Sequence, residues 1–171
     1  MDDKKVKFAI FRDADSRLGP RELFAVNQWL ASGLGFHVMR DHKQHSVPVL
    51  GGMFGTKRGV LGQSVKKLMQ RAILENPNGI QGVRGEDQSF LKTYIWTLVK
   101  GNCLTHDIDL ERCKNFGSQH CVDFPVKERS EEKNYFVGAM FKHGLYETGS
   151  RGYECHHSCK IIDTTDFSMQ R

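Results

Sequence analysis

The chain has 171 residues, of which 39% are hydrophobic and 26% charged, a balance typical of one globular domain that buries about two-thirds of its unfolded surface. Its net charge of +5 comes from scattered basic residues, which do not favour a nucleic acid over a small anionic ligand, and we expect no nucleic-acid partner. No apolar run approaches the ~20 residues of a membrane span, and the N-terminus MDDKKVKF lacks a signal-peptide pattern, so we expect a cytoplasmic protein or a fragment of a secretory-pathway protein.

Strands and helices are predicted to alternate along the chain, beginning with an apolar strand at residues 7–11. Pro20 after Gly19 predicts the start of a helix, which Ser32-Gly33 ends. The later predicted elements are strands at 36–39, 47–54, 103–105 and 135–141, helices at about 62–75 and 86–100, and a polar loop at 109–133. This order predicts an α/β fold with a mixed sheet flanked by helices. We expect one domain over residues 1–171, with a core at about 6–108 and a less regular, cysteine-containing part at about 109–171.

Two carboxylates, Asp13 and Asp15, follow the first predicted strand and lie between Arg12 and Arg17. The D-x-D spacing offers two hard oxygen ligands to one divalent cation such as Mg²⁺ or Mn²⁺. A cation there neutralises a diphosphate and helps it to leave. Ligands of open α/β sheets gather at the carboxyl ends of strands, where this pair lies. The alternative is an acidic turn that pairs with the two arginines.

A further acid, Asp87, opens the helix predicted at 86–100 and lies four residues before Leu91, on the same helical stripe. It therefore faces the body of the protein, and the helix dipole favours its ionised form. Asp87 and Gln88 would then form a polar pair directed into a cleft. The alternative is a helix cap, in which Glu86 or Asp87 accepts hydrogen bonds from free backbone N–H groups.

Two other stretches carry candidate site residues. His106 follows a short apolar run and can join carboxylates as a ligand of Mn²⁺, although a single histidine is often structural. Arg40, in the polar stretch after the second strand, can bind a phosphate or a sugar. Gly51 and Gly52, at the end of the strand predicted over 47–54, permit a close approach of the backbone to a ligand. The alternative for this stretch is a tight turn with solvated polar residues.

Taken together, these motifs resemble the catalytic half of type-A-fold glycosyltransferases that use nucleotide sugars. The resemblance covers about residues 7–107 and is strongest to glycosyltransferase-like proteins with the same extended motif set. In this chain the motifs read RDADSR at 12–17, RE at 21–22, HVMRDH at 37–42 and GGMFG at 51–55, with EDQ at 86–88 and a histidine at 106. The segments NYFVGAMF and YECHHSCK resemble the same proteins more loosely.

The resemblance implies metal-dependent transfer of a sugar from a nucleotide-sugar donor to a glycan or protein acceptor. The roles that it implies are a Mn²⁺ or Mg²⁺ site at Asp13, Asp15 and His106, phosphate contacts from Arg12, Arg17 and Arg40, a sugar pocket at Gly51 and Gly52, and a catalytic polar pair at Asp87 and Gln88.

The resemblance also implies a nucleotide-binding half ahead of the D-x-D motif, and only twelve residues precede Asp13. We therefore expect a fragment, a half supplied by another chain, or lost activity. A sheet without its first strands exposes an unpaired edge, which favours self-association.

Two other functions fit the same residues. In a haloacid-dehalogenase-type phosphatase, Asp13 would be the nucleophile and Asp15 the acid or base, with Asp107 and Asp109 as later metal ligands. Against it, Ser16-Arg17 stands where that family continues with a DG-type motif. The other alternative is a non-catalytic carbohydrate-binding or scaffold domain.

The five cysteines are an odd number and all follow residue 102. A disulfide between Cys155 and Cys159, or from either of them to Cys103, Cys113 or Cys121, is expected if the protein enters an oxidising compartment. Zinc binding by CHHSC at 155–159 is the weaker alternative, because no second ligand pair follows at finger spacing.

Overall fold

The computed structural model describes residues 1–76, 85–126, 136–142, 145–148 and 151–154. Its strands are β1 Phe8–Arg12, β2 Phe36–Arg40, β3 Met53–Lys57, β4 Cys103–Asp107, β5 His120–Val122, β6 Met140–Lys142, β7 Leu145–Thr148 and β8 Arg151–Glu154. Its helices are α1 Pro20–Ala31, α2 Val65–Glu75, α3 Glu86–Phe90, a π-helical segment Leu91–Trp96, α4 Thr97–Val99, a 3-10 turn Lys100–Asn102, and α5 Leu110–Asn115. The predicted α/β class is confirmed.

A mixed five-stranded sheet in the order β1-β3-β2-β4-β5 organises the main body. β3 runs antiparallel to both β1 and β2, whereas β2, β4 and β5 are parallel. The first residue of β3 therefore lies beside the last residue of β1, with Arg12 opposite Met53. As a result, β1, β2 and β4 all finish at the same end of the sheet, and β3 starts there.

The sheet buries a separate apolar layer on each face, because side chains alternate between faces along every strand. One layer packs against α2 and the π-helical segment and includes Phe36, Val38, Phe54, Leu68, Ala72, Tyr94, Ile95 and Val99. The other packs against α1 and includes Ala25, Met39, Met53, Phe124 and Val137. β6, β7 and β8 form a second, antiparallel sheet.

The strand predicted over 47–54 is wrong in its bounds, since β3 begins at Met53 and the two glycines precede it in a turn. The apolar residues before the glycines are buried as a loop, in which Val49 has no exposed surface. The Pro48 carbonyl accepts a hydrogen bond from the Arg40 guanidinium at 2.5 Å, and this contact holds the loop against the sheet.

The predicted polar loop at 109–133 is also corrected, because it contains both α5 and β5. The Asp109 carboxylate begins α5 by accepting a hydrogen bond from the Arg112 backbone N–H at 3.0 Å. A disulfide then joins Cys113 in α5 to Cys121 in β5. This pairing was not among the expected ones, and Cys103 is a free, buried thiol.

Three further sequence predictions concern the C-terminal cysteines, the last predicted strand and membrane spans. Cys155 and Cys159, and with them the candidate zinc site, lie outside the described residues. The strand predicted at 135–141 is placed later, at β6. None of the helices in the described part is long and apolar enough to cross a bilayer.

The disulfide gives a first testable prediction. Replacing both Cys113 and Cys121 by serine is expected to lower the free energy of unfolding by about 2–3 kcal/mol, because the unfolded chain regains the freedom of a short closed loop. Denaturant unfolding with and without a reductant measures the effect. The reductant should destabilise the wild type and leave the double variant unchanged; equal sensitivity of the two proteins would contradict the pairing.

Candidate functional site

The end of β1 brings Asp13 against Gly52 in the turn before β3. An added Cβ at Gly52 would lie 2.3 Å from Cγ of Asp13 and 2.4–2.5 Å from its two carboxylate oxygens. No real Cβ tolerates such contacts, and all three atoms of the Asp13 carboxylate group are affected. The glycine therefore permits Asp13 to lie directly on the turn.

A second carboxylate reaches the same turn from a distant part of the sequence. Asp87 lies in the first turn of α3, and its Oδ2 would be 2.7 Å from a Cβ added at Gly51. Two adjacent glycines thus each accommodate one carboxylate, Asp13 from the edge strand and Asp87 from the helix. The sequence predicted all four of these residues as site residues, and the structure brings them together.

Several negative charges lie close together at the glycine turn. Partial burial raises the pKa of Asp13, and the negative charges of Asp15 and Asp87 raise it further, with Arg12 acting in the opposite direction. Three carboxylates therefore repel one another at the carboxyl end of β1. A divalent cation held by any two of them would relieve this repulsion.

The described part of the chain has no complete set of protein ligands for a metal ion. No group of three or more histidine, cysteine, aspartate or glutamate side chains within the described ranges has the arrangement of a complete metal site. Mg²⁺, however, is commonly held by one or two carboxylates plus substrate phosphates and water. Asp13 and Asp15 would supply such an incomplete set of ligands, which a diphosphate would complete.

Arg12 supports the turn from the α1 side of the sheet. Its guanidinium forms an ion pair with the buried Glu22 and donates hydrogen bonds to the carbonyls of Phe11 at 2.6 Å and Gly52 at 3.4 Å. These contacts make Arg12 a positioning residue for the glycine turn and do not direct it towards a phosphate. Arg17 is exposed in the segment between β1 and α1.

Arg40 does not lie where the predicted phosphate contact requires. Its side chain has no exposed surface, and its Nε donates to the Asp107 carboxylate at 2.5 Å. Asp107 also pairs with Arg112, so that one buried carboxylate binds two guanidinium groups. Arg40 lies two residues after Val38 in β2, so both side chains are on the same face of the sheet and Arg40 is directed into the core. The structure corrects its predicted role from ligand contact to core ion pair.

His106 is likewise separated from the acids. Its Nδ1 lies 2.8 Å from Nε2 of His37, and its Nε2 lies 3.1 Å from Oε1 of Gln28 in α1. His106 is fully buried on the α1 side of the sheet, whereas Asp13 follows Phe11 on the opposite side. The predicted third metal ligand does not fit this position, because both ring nitrogens of His106 already have hydrogen-bond partners in the core.

The histidine pair makes the fold sensitive to acid. Burial is the main cause that lowers the pKa of His106 to about 4, and it holds that of His37 well below 6.5. Both rings are therefore neutral in the folded protein near neutral pH. Of the two nitrogens that face each other, one carries a hydrogen and donates a hydrogen bond to the other. If both rings were protonated, both nitrogens would be donors and the hydrogen bond would be lost.

We expect the free energy of unfolding to fall as the pH drops from about 6.5 towards 4. The unfolded chain takes up protons near pH 6.5, whereas folded His106 stays neutral until about pH 4, so this residue alone should cost about 3 kcal/mol at pH 4. Denaturant unfolding of the wild type and of His106→Gln at pH 7 and pH 4.5 measures the effect. The variant should lose less stability between the two pH values, and an identical loss would contradict this account.

The sequence did not predict the ion pair between Arg21 and Asp41, which lies at the same end of the sheet as Asp13. The Arg21 guanidinium donates two hydrogen bonds of 2.7 Å to Asp41, and it stacks over the Phe124 ring at 4.3 Å. The Asp41 carboxylate also accepts the Val137 backbone N–H at 2.8 Å. Arg21 and Asp41 were both part of the motif set, but no local pattern in the sequence identifies them as partners.

Gln88, the second member of the predicted catalytic pair, follows Asp87 within α3 and is half-buried. Asp87 itself is exposed, so the prediction that it faces the body of the protein is wrong.

Comparison of the chain with family models, with curated proteins and with solved structures found no significant match in any of the three.

Proposed function

We propose that this chain carries the metal and diphosphate site of a glycosyltransferase-like domain that uses a nucleotide-sugar donor. The observation that carries the proposal is the convergence of Asp13 and Asp87 on Gly51 and Gly52, with Asp15 beside them, at the carboxyl end of an edge strand. The motif resemblance indicates the class of reaction. The close approach of the two carboxylates explains why both residues of the turn are glycines.

In this proposal the cation is Mn²⁺ or Mg²⁺, and it would neutralise the departing diphosphate. Asp13 and Asp15 would hold it, and Arg12 would keep the glycine turn in place through its contact with the Gly52 carbonyl. Asp87 would lie beside the reacting sugar, where a carboxylate can orient a hydroxyl group or accept its proton. Gln88 remains a predicted partner of Asp87.

The phosphatase alternative receives less support from the same geometry. That function would use Asp107 and Asp109 as later metal ligands. Asp107 is fully buried between two arginines, and Asp109 caps α5. Both carboxylates are therefore engaged in the fold, and neither is available at the D-x-D turn.

Release of a nucleoside diphosphate from a panel of nucleotide sugars, with Mn²⁺ present, tests the proposal. We expect slow metal-dependent release by the wild type, since water can replace the acceptor. Asp13→Asn should lower the rate by at least about a hundredfold, because the cation contributes several kcal/mol. The matched control Asp3→Asn removes an exposed acid elsewhere and should keep the rate.

A folded wild type that releases no diphosphate with any donor would contradict catalysis by this chain. Retained binding of Mn²⁺ and nucleotide in that protein would then favour the non-catalytic carbohydrate-binding or scaffold alternative. Release of inorganic phosphate from a phosphate ester would instead favour the phosphatase.

A further inference from the structure

The free edge of β1 exposes backbone groups that a further strand can pair with. Within the described part of the chain, β1 pairs with β3 alone. The Lys7 carbonyl accepts the Arg58 N–H at 3.0 Å, so Lys7 directs its backbone groups towards β3. In an antiparallel ladder this direction alternates from residue to residue. The N–H and C=O groups of Phe8 and Ile10 are therefore directed outward, away from the sheet.

The same edge carries unusually apolar side chains. Phe8 is 49% exposed and Ile10 is 46% exposed, and both lie on the α1 side of the sheet. Natural proteins usually protect a free edge with prolines, with bulges or with charged side chains in the strand. β1 contains no proline, and its one charged residue, Arg12, is paired with Glu22. The outward-directed backbone groups of Phe8 and Ile10 are therefore flanked by exposed apolar side chains, an arrangement that favours pairing with another strand.

We propose that a second copy of this chain pairs with the edge, β1 against β1, antiparallel and centred on Ile10. Both outward backbone groups of Ile10 then bond to those of the other Ile10 across a two-fold axis. In this register Lys7, directly before β1 of one copy, lies closest to Asp13, directly after β1 of the other. Because of the two-fold axis, this opposite-charge pair forms twice. This charge complementarity favours a second copy of the chain as the partner of the free edge.

Pairing of the two copies would change the electrostatic environment of Asp13. Lys7 of the second copy would place its ammonium group beside Asp13, where it reduces the repulsion from Asp15 and Asp87. Lys7 and a divalent cation would then compete for the same carboxylate. This consequence rests on the proposed function, whereas the dimer itself does not.

Sedimentation velocity over a concentration series, without added metal, tests the dimer. We expect the wild type to shift towards twice its mass of 19.5 kDa as the concentration rises. Lys7→Glu should weaken the dimer roughly tenfold, because both cross-strand pairs become repulsive. The combined variant Lys7→Glu with Asp13→Lys should restore it, since the reversed charges again attract. Lys4→Glu makes the same charge change opposite Ser16 in this register and should have little effect.

A second variant separates loss of pairing from loss of folding. Ile10→Lys places a charge in the centre of the edge and should leave a folded monomer, as judged by its far-UV circular dichroism. A wild type that stays monomeric at every concentration would overturn the proposal. So would equal effects of Lys7→Glu and Lys4→Glu, or a combined variant that fails to dimerise.

Added Mn²⁺ distinguishes this inference from the proposed function. If both hold, Mn²⁺ should weaken the wild-type dimer. A dimer that passes the charge-reversal test but ignores Mn²⁺ would count against the metal site and leave the dimer standing.

Discussion

Replacing Asp107 by alanine is expected to destabilise the protein by about 3–5 kcal/mol, the largest stability effect that the structure indicates. Asp107 is fully buried and pairs with Arg40, which is itself fully buried, and with Arg112. Its removal leaves the Arg40 guanidinium uncompensated in the core, where Nη2 already lacks a partner among the described residues. Denaturant unfolding at neutral pH measures the loss.

The matched control is Asp109→Ala, two residues further along. Asp109 also accepts a hydrogen bond, but it is an exposed helix cap, so its loss should cost only about 1 kcal/mol. A double replacement, Arg40→Met with Asp107→Leu, should be more stable than Asp107→Ala, because the fully buried guanidinium is removed together with its partner. Arg112 remains, but it is partly exposed and keeps hydrogen bonds to the carbonyls of His42 and Lys43. An Asp107→Ala variant no less stable than Asp109→Ala would contradict the account of this ion pair.

Replacing Gly52 by alanine is expected to weaken Mn²⁺ binding about 10–100-fold while the fold is kept. The added Cβ would lie 2.3 Å from Cγ of Asp13, so this side chain must turn away from the site. The displaced carboxylate is exposed, and the change therefore does not open the core. Titration of Mn²⁺, followed by the paramagnetic signal of the free ion, measures the affinity.

Gly101→Ala is the matched control for that variant. A Cβ at Gly101 would meet Gln119 at an ordinary 3.8 Å, and the residue lies in the 3-10 turn before β4, away from the acids. Its Mn²⁺ affinity should equal that of the wild type. Equal affinity of Gly52→Ala and the wild type would show that Asp13 does not need its position on the glycine turn.

The sequence predicted the elements whose signals are local. Pro20 marks the start of α1, and the left-handed Gly33 follows its end, because each imposes its own backbone conformation. The short strands predicted at 36–39 and 103–105 lie close to the observed β2 and β4. Asp13 and Asp87 were predicted as site residues because an acid after a strand and an acid at a helix start are local patterns too.

What the sequence could not predict depends on contacts between distant residues. The pairing of Arg40 with Asp107 spans 67 positions, and either side chain alone resembles a surface or ligand-binding charge. His106 shows the same difficulty, since a histidine after a strand reveals neither its face nor its neighbours. The apolar residues before Gly51 suggested a strand, although they are buried as a loop held by Arg40.

Calorimetric titration of Mn²⁺, with and without UDP, tests the central claim most directly. The claim is that Asp13 and Asp15 form an incomplete cation site that a nucleoside diphosphate completes. We therefore expect weak Mn²⁺ binding to the wild type, markedly tighter binding when UDP is present, and loss of both in the Asp13→Ala, Asp15→Ala double variant. Binding that UDP does not strengthen, or that survives in the double variant, would contradict the claim.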